Sequence, residues 1–353
     1  MAAINIFDSN AFSMFSLTAA LNKVPHQPKL LGSLNLFRDV PIRTLTAAVE
    51  DKQGTLALLV SAARGDKTNA RSQPIRTIRD LRVPHYPQIQ TILADDIQGI
   101  RAFGSESELE GVADVVNTNL EGMRENHETS LEFGRLGAIK GTIVDGDNST
   151  TIYDLFTEFG TTQQTQTYDM GAGNDDMKLN AQATHRLMAT ALGQTAYTGI
   201  IGICGDRFFD SLVSHANVTD AFTRWIGSDG SAGSYLRQLQ SGSEYAANMN
   251  GFPFANIFWI NYRGVIGDVT FVADNKCHFI ATGVRDLFQS IMAPANFLET
   301  VHTPGKKMYA KQRRLDYDEG VELFTQHNVL HVCTRPRSLI EATATNIPAT
   351  VPA

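Results

Sequence analysis

Gly199, Gly202 and Gly205 follow an apolar run and precede a helix-like stretch, a place where backbone amides could cradle a phosphate. Their spacing is G-x-x-G-x-x-G, with neither a Walker lysine nor the dinucleotide pattern, so tight backbone packing is the better reading. His327 and His331 are four apart, but in a strand-like run, where such positions lie about 13 Å from one another. Joint metal ligation is therefore not expected. Asp145 and Asp147 imitate the start of a calcium loop, yet the twelfth position is Phe156 where a bidentate Glu is required. A hairpin turn over Asp145 to Asn148 remains, and "GAGNDD", Gly171 to Asp176, reads as a surface turn. No serine sits in a nucleophile elbow. Cys204, Cys277 and Cys333 are odd in number and far apart, giving neither a disulfide framework nor a C-x-x-C metal pair. A reducing cytoplasm is the expected place of synthesis. Catalysis would need a site assembled only in the fold, and no cofactor is implied.

Charge is more informative. Between Arg64 and Arg82 stand Arg64, Lys67, Arg71, Arg76, Arg79 and Arg82 against Asp66 and Asp80, a local +4 in a chain whose formal net charge is -7. A general attraction to polyanions is excluded by that balance, so the partner of the basic stretch must be a local acidic surface. The triplet Arg64-Gly65-Asp66 spells an adhesion motif that chance supplies often enough to carry no weight. From Ser105 to Leu131, Glu106, Glu108, Glu110, Asp114, Glu121, Glu125 and Glu128 face a single Arg124, a net of -6. That stretch is the candidate partner.

The elements that position these charges can be read from periodicity. The acidic stretch opens with a capping box, Ser105 to Glu108 or Ser107 to Glu110, and Leu109, Val112, Val116, Leu120 and Met123 recur at helical spacing. Roughly 30 residues make a rod of about 45 Å. "TLTAAVEDKQGTLALLVSAA" is expected to be two strand runs around a turn at Glu50 to Gly54, and Ile75, Leu81 and Val83 share one face of the run that follows. Together these form a long two-stranded excursion, which is marginal alone in water and must lie against something else. Residues 1–28 read as a short amphipathic arm. Asp175 to Phe297 alternates helix and strand: a helix around Gln182 to Leu192, a buried strand "TGIIGIC", a helix from Asp206, strands "NIFWINY", "DVTFVA" and "KCHFIAT", and a flexible loop at Gly227 to Ser234. The tail returns to strands.

At 353 residues, with 42% hydrophobic and 19% charged residues, the chain is expected to be globular and to form two domains or one with large excursions. The first basic residue is Lys23, which argues against a secretory signal. No window approaches the roughly 18 to 20 apolar residues that span a bilayer, so no membrane association is expected.

"TILADDIQGIRAFGSESELEGVADVV", "TTIYDLFTEFG", "MAPANFLETVHTPGKKMYAKQ" and "HNVLHVCTRPRSLIEA", in this order and spacing, resemble the phage major capsid protein E family, the lambda-type shell proteins. The similarity runs over nearly the whole chain. It implies an α+β fold of the Hong Kong ninety-seven type. The expected parts are an N-terminal arm (1–28), an extended β loop or E loop (43–92), a peripheral domain on a long spine helix (29–42, 93–174, 298–353) and an α/β axial domain (175–297). It implies a structural protein rather than an enzyme: a major capsid protein in the virion of a tailed phage, self-assembling as hexamers and pentamers around double-stranded DNA without sequence-specific binding. Portal and scaffolding proteins are the implied partners, with a decoration protein as an optional further one. In this fold the E loop lies over a neighbouring subunit, so Arg64, Lys67, Arg71, Arg76, Arg79 and Arg82 are the expected subunit interface opposite Glu106, Glu110, Glu121 and Glu125. The competing reading is a metal-dependent hydrolase built on the α/β domain.

Overall fold

The computed structural model describes residues 30–53, 75–97, 112–171, 176–193, 195–220, 251–262, 265–266 and 269–348. The arm (1–28), Arg64, Lys67, Arg71, Glu106, Glu110, both capping boxes and the Gly227–Ser234 loop lie outside them.

Helix α1 (Leu30–Ser33) leads to β1 (Phe37–Pro41), and β2 (Thr46–Gln53) pairs antiparallel with β3 (Ile75–Arg82) as a two-stranded ribbon. The turn expected at Glu50 to Gly54 is corrected: the strand runs through Glu50 to Gln53, in register with Ile78 to Ile75. Turn-like composition is tolerated there because a two-stranded ribbon has a polar edge and need bury only alternate residues, here Ala47 and Val49. β4 (Tyr86–Leu93) leaves the ribbon, and α2 (Ala94–Ile97) follows.

The long helix α3 (Val112–Lys140) has 29 residues, about 44 Å at 1.5 Å per residue. It stops at Gly141, whose positive φ of 84° turns the chain back; a Cβ there would lie 2.3 Å from the Phe156 ring, so only glycine fits. β5 (Thr142–Val144) and β6 (Thr151–Asp154) form the expected hairpin. Helix α4 (Leu155–Phe159) is capped by Asp154, whose carboxylate accepts from Phe156 N at 3.0 Å. β7 (Gln164–Asp169) precedes α5 (Met177–Leu192), whose N-cap is Asp176; the turn expected over "GAGNDD" falls mostly on residues 172–175, outside the described residues.

β8 (Gly199–Cys204), α6 (Asp206–Ser214), β9 (Gly251–Phe254), β10 (Ile257–Asn261), β11 (Val265–Ile266), β12 (Val269–Thr270), β13 (Lys276–Thr282) and β14 (Phe288–Met292) come next. "DVTFVA" is corrected in extent. Among its described residues Val269 and Thr270 are strand, while Phe271 and Val272 are buried outside it. The tail supplies β15 (Tyr309–Arg314), β16 (Gly320–His327), β17 (Val329–Cys333) and β18 (Ile340–Thr345).

A mixed six-stranded sheet, β7-β18-β13-β8-β10-β9, holds Trp259, Phe279 and Tyr168 as fully buried aromatics. Its strands β7 and β18 come from outside 175–297, whereas β14, within that range, pairs with β1 and β17 in a three-stranded sheet. β15, β16 and β4 form an antiparallel sheet whose inner face packs on α3 through Ile92, Met308, Ala310, Val321 and Leu323 against Val116, Leu120, Met123 and Leu131. Among the described residues, no helix is long and apolar enough to cross a membrane.

Candidate assembly interface

The ribbon is rooted on its own subunit. Ala47, Val49, Leu81 and Val83 bury one face of its foot in the main core. Behind it, the Tyr153 hydroxyl accepts from Arg82 N at 2.8 Å and donates to Arg82 O at 3.1 Å. Arg79 donates from Nε to Glu158 O at 2.6 Å, and its guanidinium lies 4.6 Å from the centre of the Phe159 ring. Arg79 is thus tied to Glu158 and Phe159 of its own subunit. Arg76 pairs with Lys52 in the ribbon ladder, and Arg82 is exposed. On the outer side Leu45 and Ile78 are each 60% exposed. Beside the foot opens a cleft of about 890 Å³, lined in part by Arg43, Leu45, Leu298, Val301 and His302.

The acidic rod is likewise divided. Glu121 and Glu125 are exposed, whereas Glu128 and Glu132 are buried and consumed internally. Glu128 accepts from Lys307 Nζ at 2.6 Å. Glu132, 1% exposed, accepts from Leu31 N at 2.7 Å, Gly32 N at 3.2 Å, Arg135 Nη1 at 3.1 Å and the Tyr262 hydroxyl at 3.4 Å. One carboxylate therefore joins α1, the long helix and the residue that follows β10. A uniformly acidic outer surface is not what the helix presents.

One turn earlier, His127 enters the same buried face. Its Nδ1 lies 2.7 Å from His327 Nδ1 and its Nε2 lies 2.8 Å from Thr325 Oγ1, while the Tyr86 ring stacks on His327 at 4.7 Å. His331 Nδ1 meets Ser290 Oγ at 2.9 Å, and His85 Nδ1 meets Asn328 Oδ1 at 2.8 Å. The expected single strand through His327 and His331 is corrected, because Asn328 separates β16 from β17. Burial holds His127 down at about 4 and His327 at about 3, and it lowers His331 well below its ordinary value. His127, His327 and His331 are neutral struts. Their partners lie 200 (His327 for His127), 179 (Lys307 for Glu128) and 101 (Leu31 for Glu132) residues away, so periodicity gave no signal for them.

The residues weighed for chemistry are absorbed into packing. A Cβ on Gly202 would meet Cys277 Sγ at 3.1 Å and Trp259 at 3.2 Å, and one on Gly205 would lie 2.3 Å from Ala273 O. Asp147 accepts from Ser149 N, Ser149 Oγ, Thr150 N and Thr150 Oγ1 at 2.6–2.9 Å, which closes the hairpin loop and holds its carboxyl well below the usual range. Among the described residues, no group of three or more His, Cys, Asp or Glu side chains is placed to hold a metal ion.

Residues 13–344 match the family model described as phage major capsid protein E. The chain is 28% identical over 351 residues to the major capsid protein of Pseudomonas phage KPP10, covering 95% of this chain and 97% of that one. It is 25% identical over 367 residues to the major capsid protein of Salmonella phage Felix O1, covering 96% and 97%. The fold is similar to a crystal structure assigned as the capsid protein of a prophage of E. coli CFT073, with a TM-score of 0.55 at 12% identity over 94% of this chain and 99% of that one.

Proposed function

Because the chain belongs to the phage major capsid protein E family and is a phage major capsid protein with the tailed-phage capsid fold, we propose that the ribbon is its principal assembly element. Identical copies close into an icosahedral shell of hexamers and pentamers, and each ribbon lies over the body of the next subunit. The division of parts is the one expected for the family: arm, E loop, peripheral domain on the long helix, and axial domain.

The observation that carries this reading is the ribbon itself. It is rooted at Ala47, Val49, Leu81 and Val83, and among the described residues each of its strands pairs with the other alone. A two-stranded ribbon needs further contact to be stable, and a neighbouring subunit supplies it. Arg76 and Arg82, with Arg64, Lys67 and Arg71, are the basic side of the contact. Glu121 and Glu125, with Glu106 and Glu110, are the acidic side. A chain of net charge -7 encloses double-stranded DNA without binding its sequence. Portal and scaffolding proteins are the further partners, with a decoration protein on the outer face. Synthesis takes place in the host cytoplasm, and the chain performs no catalysis. The competing metal-dependent hydrolase finds no support in the comparisons.

Reversing Glu121 and Glu125 to Lys should leave the subunit folded, since both are exposed. Each exposed pair contributes only about 0 to 1 kcal/mol, but the contact recurs at every subunit of a closed shell. Circular dichroism should be unchanged, while light scattering shows assembly lost or dependent on ionic strength. Arg76→Glu in the same chain should restore part of it. Arg79 is left alone because its loss would loosen the ribbon foot. Normal assembly of the double variant at low and high salt would remove the helix from the interface.

A further inference from the structure

Cys204 in β8 and Cys277 in β13 stand directly opposite one another in an antiparallel pair. The next pair along the ladder, Gly205 with Lys276, is joined by a hydrogen bond from Gly205 N to Lys276 O at 2.9 Å. Hydrogen-bonded and non-hydrogen-bonded pairs alternate in such a ladder, so the two cysteines occupy a non-hydrogen-bonded position. There the Cα atoms approach to about 4.5 Å, within the roughly 4.4–6.8 Å that a disulfide spans. Their sulfurs are 3.2 Å apart, and both residues are fully buried. Cys333 is in a different sheet, opposite Phe288.

We propose that Cys204 and Cys277 form a modification site, an intramolecular disulfide that staples β8 to β13 when the protein meets a small disulfide oxidant such as oxidised glutathione. The inference rests on the geometry of this sheet and stands apart from the assembly reading. One thiolate attacks the oxidant's disulfide, forming a mixed disulfide and releasing one glutathione thiolate. The second cysteine's thiolate then attacks the protein-side sulfur of that mixed disulfide and releases the other. Two cysteine thiols lose two electrons and two protons, and the oxidant gains both as two thiols.

Burial sets the rate. It pushes the Cys277 thiol well above its ordinary value, so the thiolate is scarce in the closed sheet. Exchange therefore proceeds when β8 and β13 part, during folding or rare opening, and the bond is then sealed from reductant. Thiols are kept reduced in a cytoplasm, and the bond is favoured in oxidising surroundings. The closed loop joins positions 73 residues apart, with α6 inside it.

The test uses the full chain, refolded in a glutathione redox mixture or held natively in it for days, then trapped with iodoacetamide and mapped without reduction. The expected result is a mass lower by about 2 Da before alkylation, one linked peptide joining Cys204 to Cys277, and a single carbamidomethyl group, on Cys333. The oxidised chain should unfold at a higher urea concentration than the reduced chain, and Cys277→Ala should abolish that difference. The wild-type map needs no variant to fold. Three alkylated cysteines after refolding and prolonged native oxidation, or Cys333 in the linkage, would overturn the proposal.

Discussion

Glu132→Ala should lower the unfolding free energy of the subunit by about 3 to 5 kcal/mol, the range for removing one partner of a buried ion pair. The side chain is 1% exposed, and its loss leaves the Arg135 guanidinium and the Leu31 amide without their acceptor in places water reaches poorly. The damage spreads because this carboxylate joins segments remote in sequence, Leu31, Arg135 and Tyr262. Glu132→Gln keeps an acceptor oxygen and loses the charge, so an intermediate cost of about 1 to 3 kcal/mol is expected. Urea unfolding followed by fluorescence measures both. A cost below about 1 kcal/mol for the alanine variant would show that Glu132 is not the strut described.

Acid should be the second large effect. His127 and His327 are held neutral by burial at about 4 and about 3, and His331 is also depressed, while an unfolded histidine titrates near 6.5. A base with a lowered folded value binds its proton more readily unfolded. The stability it allows is therefore complete above about pH 6.5 and is lost as pH falls toward the folded value. Each such histidine adds a slope of about 1.4 kcal/mol per pH unit within that window. The surrounding charges are Glu128, which favours the cation on His127, and Lys307, Arg135 and His85, which disfavour it on His327 or His331. His278, buried between Lys140 and Lys276 in the six-stranded sheet, acts in the same direction with a value of about 3. Asp39, raised by burial, works against them. Unfolding free energy should fall by several kcal/mol between pH 7 and pH 4.5, and His327→Gln should flatten the slope by about one proton. A pH-independent midpoint over that range would contradict the buried neutral cluster.

What was legible in the sequence was local. The apolar stripe Val116, Leu120 and Met123 announced the long helix, the turn chemistry of Asp145 to Asn148 announced the β5–β6 hairpin, and the apolar runs announced β8 and β13. Two kinds of feature were not legible. Glu50 to Gln53 has turn composition, and only the partner strand, more than 20 residues on, makes it β-structure. His127, Glu128 and Glu132 continue the buried stripe as polar residues, which a hydrophobic period passes over. Counting Glu128 with the acidic face therefore overstated that face. β7 joins the central sheet through pairing with β18 across more than 170 residues, which no local pattern encodes.

On the function proposed above, this capsid subunit closes its shell by laying the ribbon of one copy across the next. Cryo-electron microscopy of the purified, assembled chain tests it most directly. The expected result is closed shells in which residues 54–74, between β2 and β3, run over a neighbouring subunit toward the Glu121 and Glu125 face of its long helix. Shells in which every ribbon folds back on its own subunit, or only monodisperse monomers across concentration and salt, would contradict it.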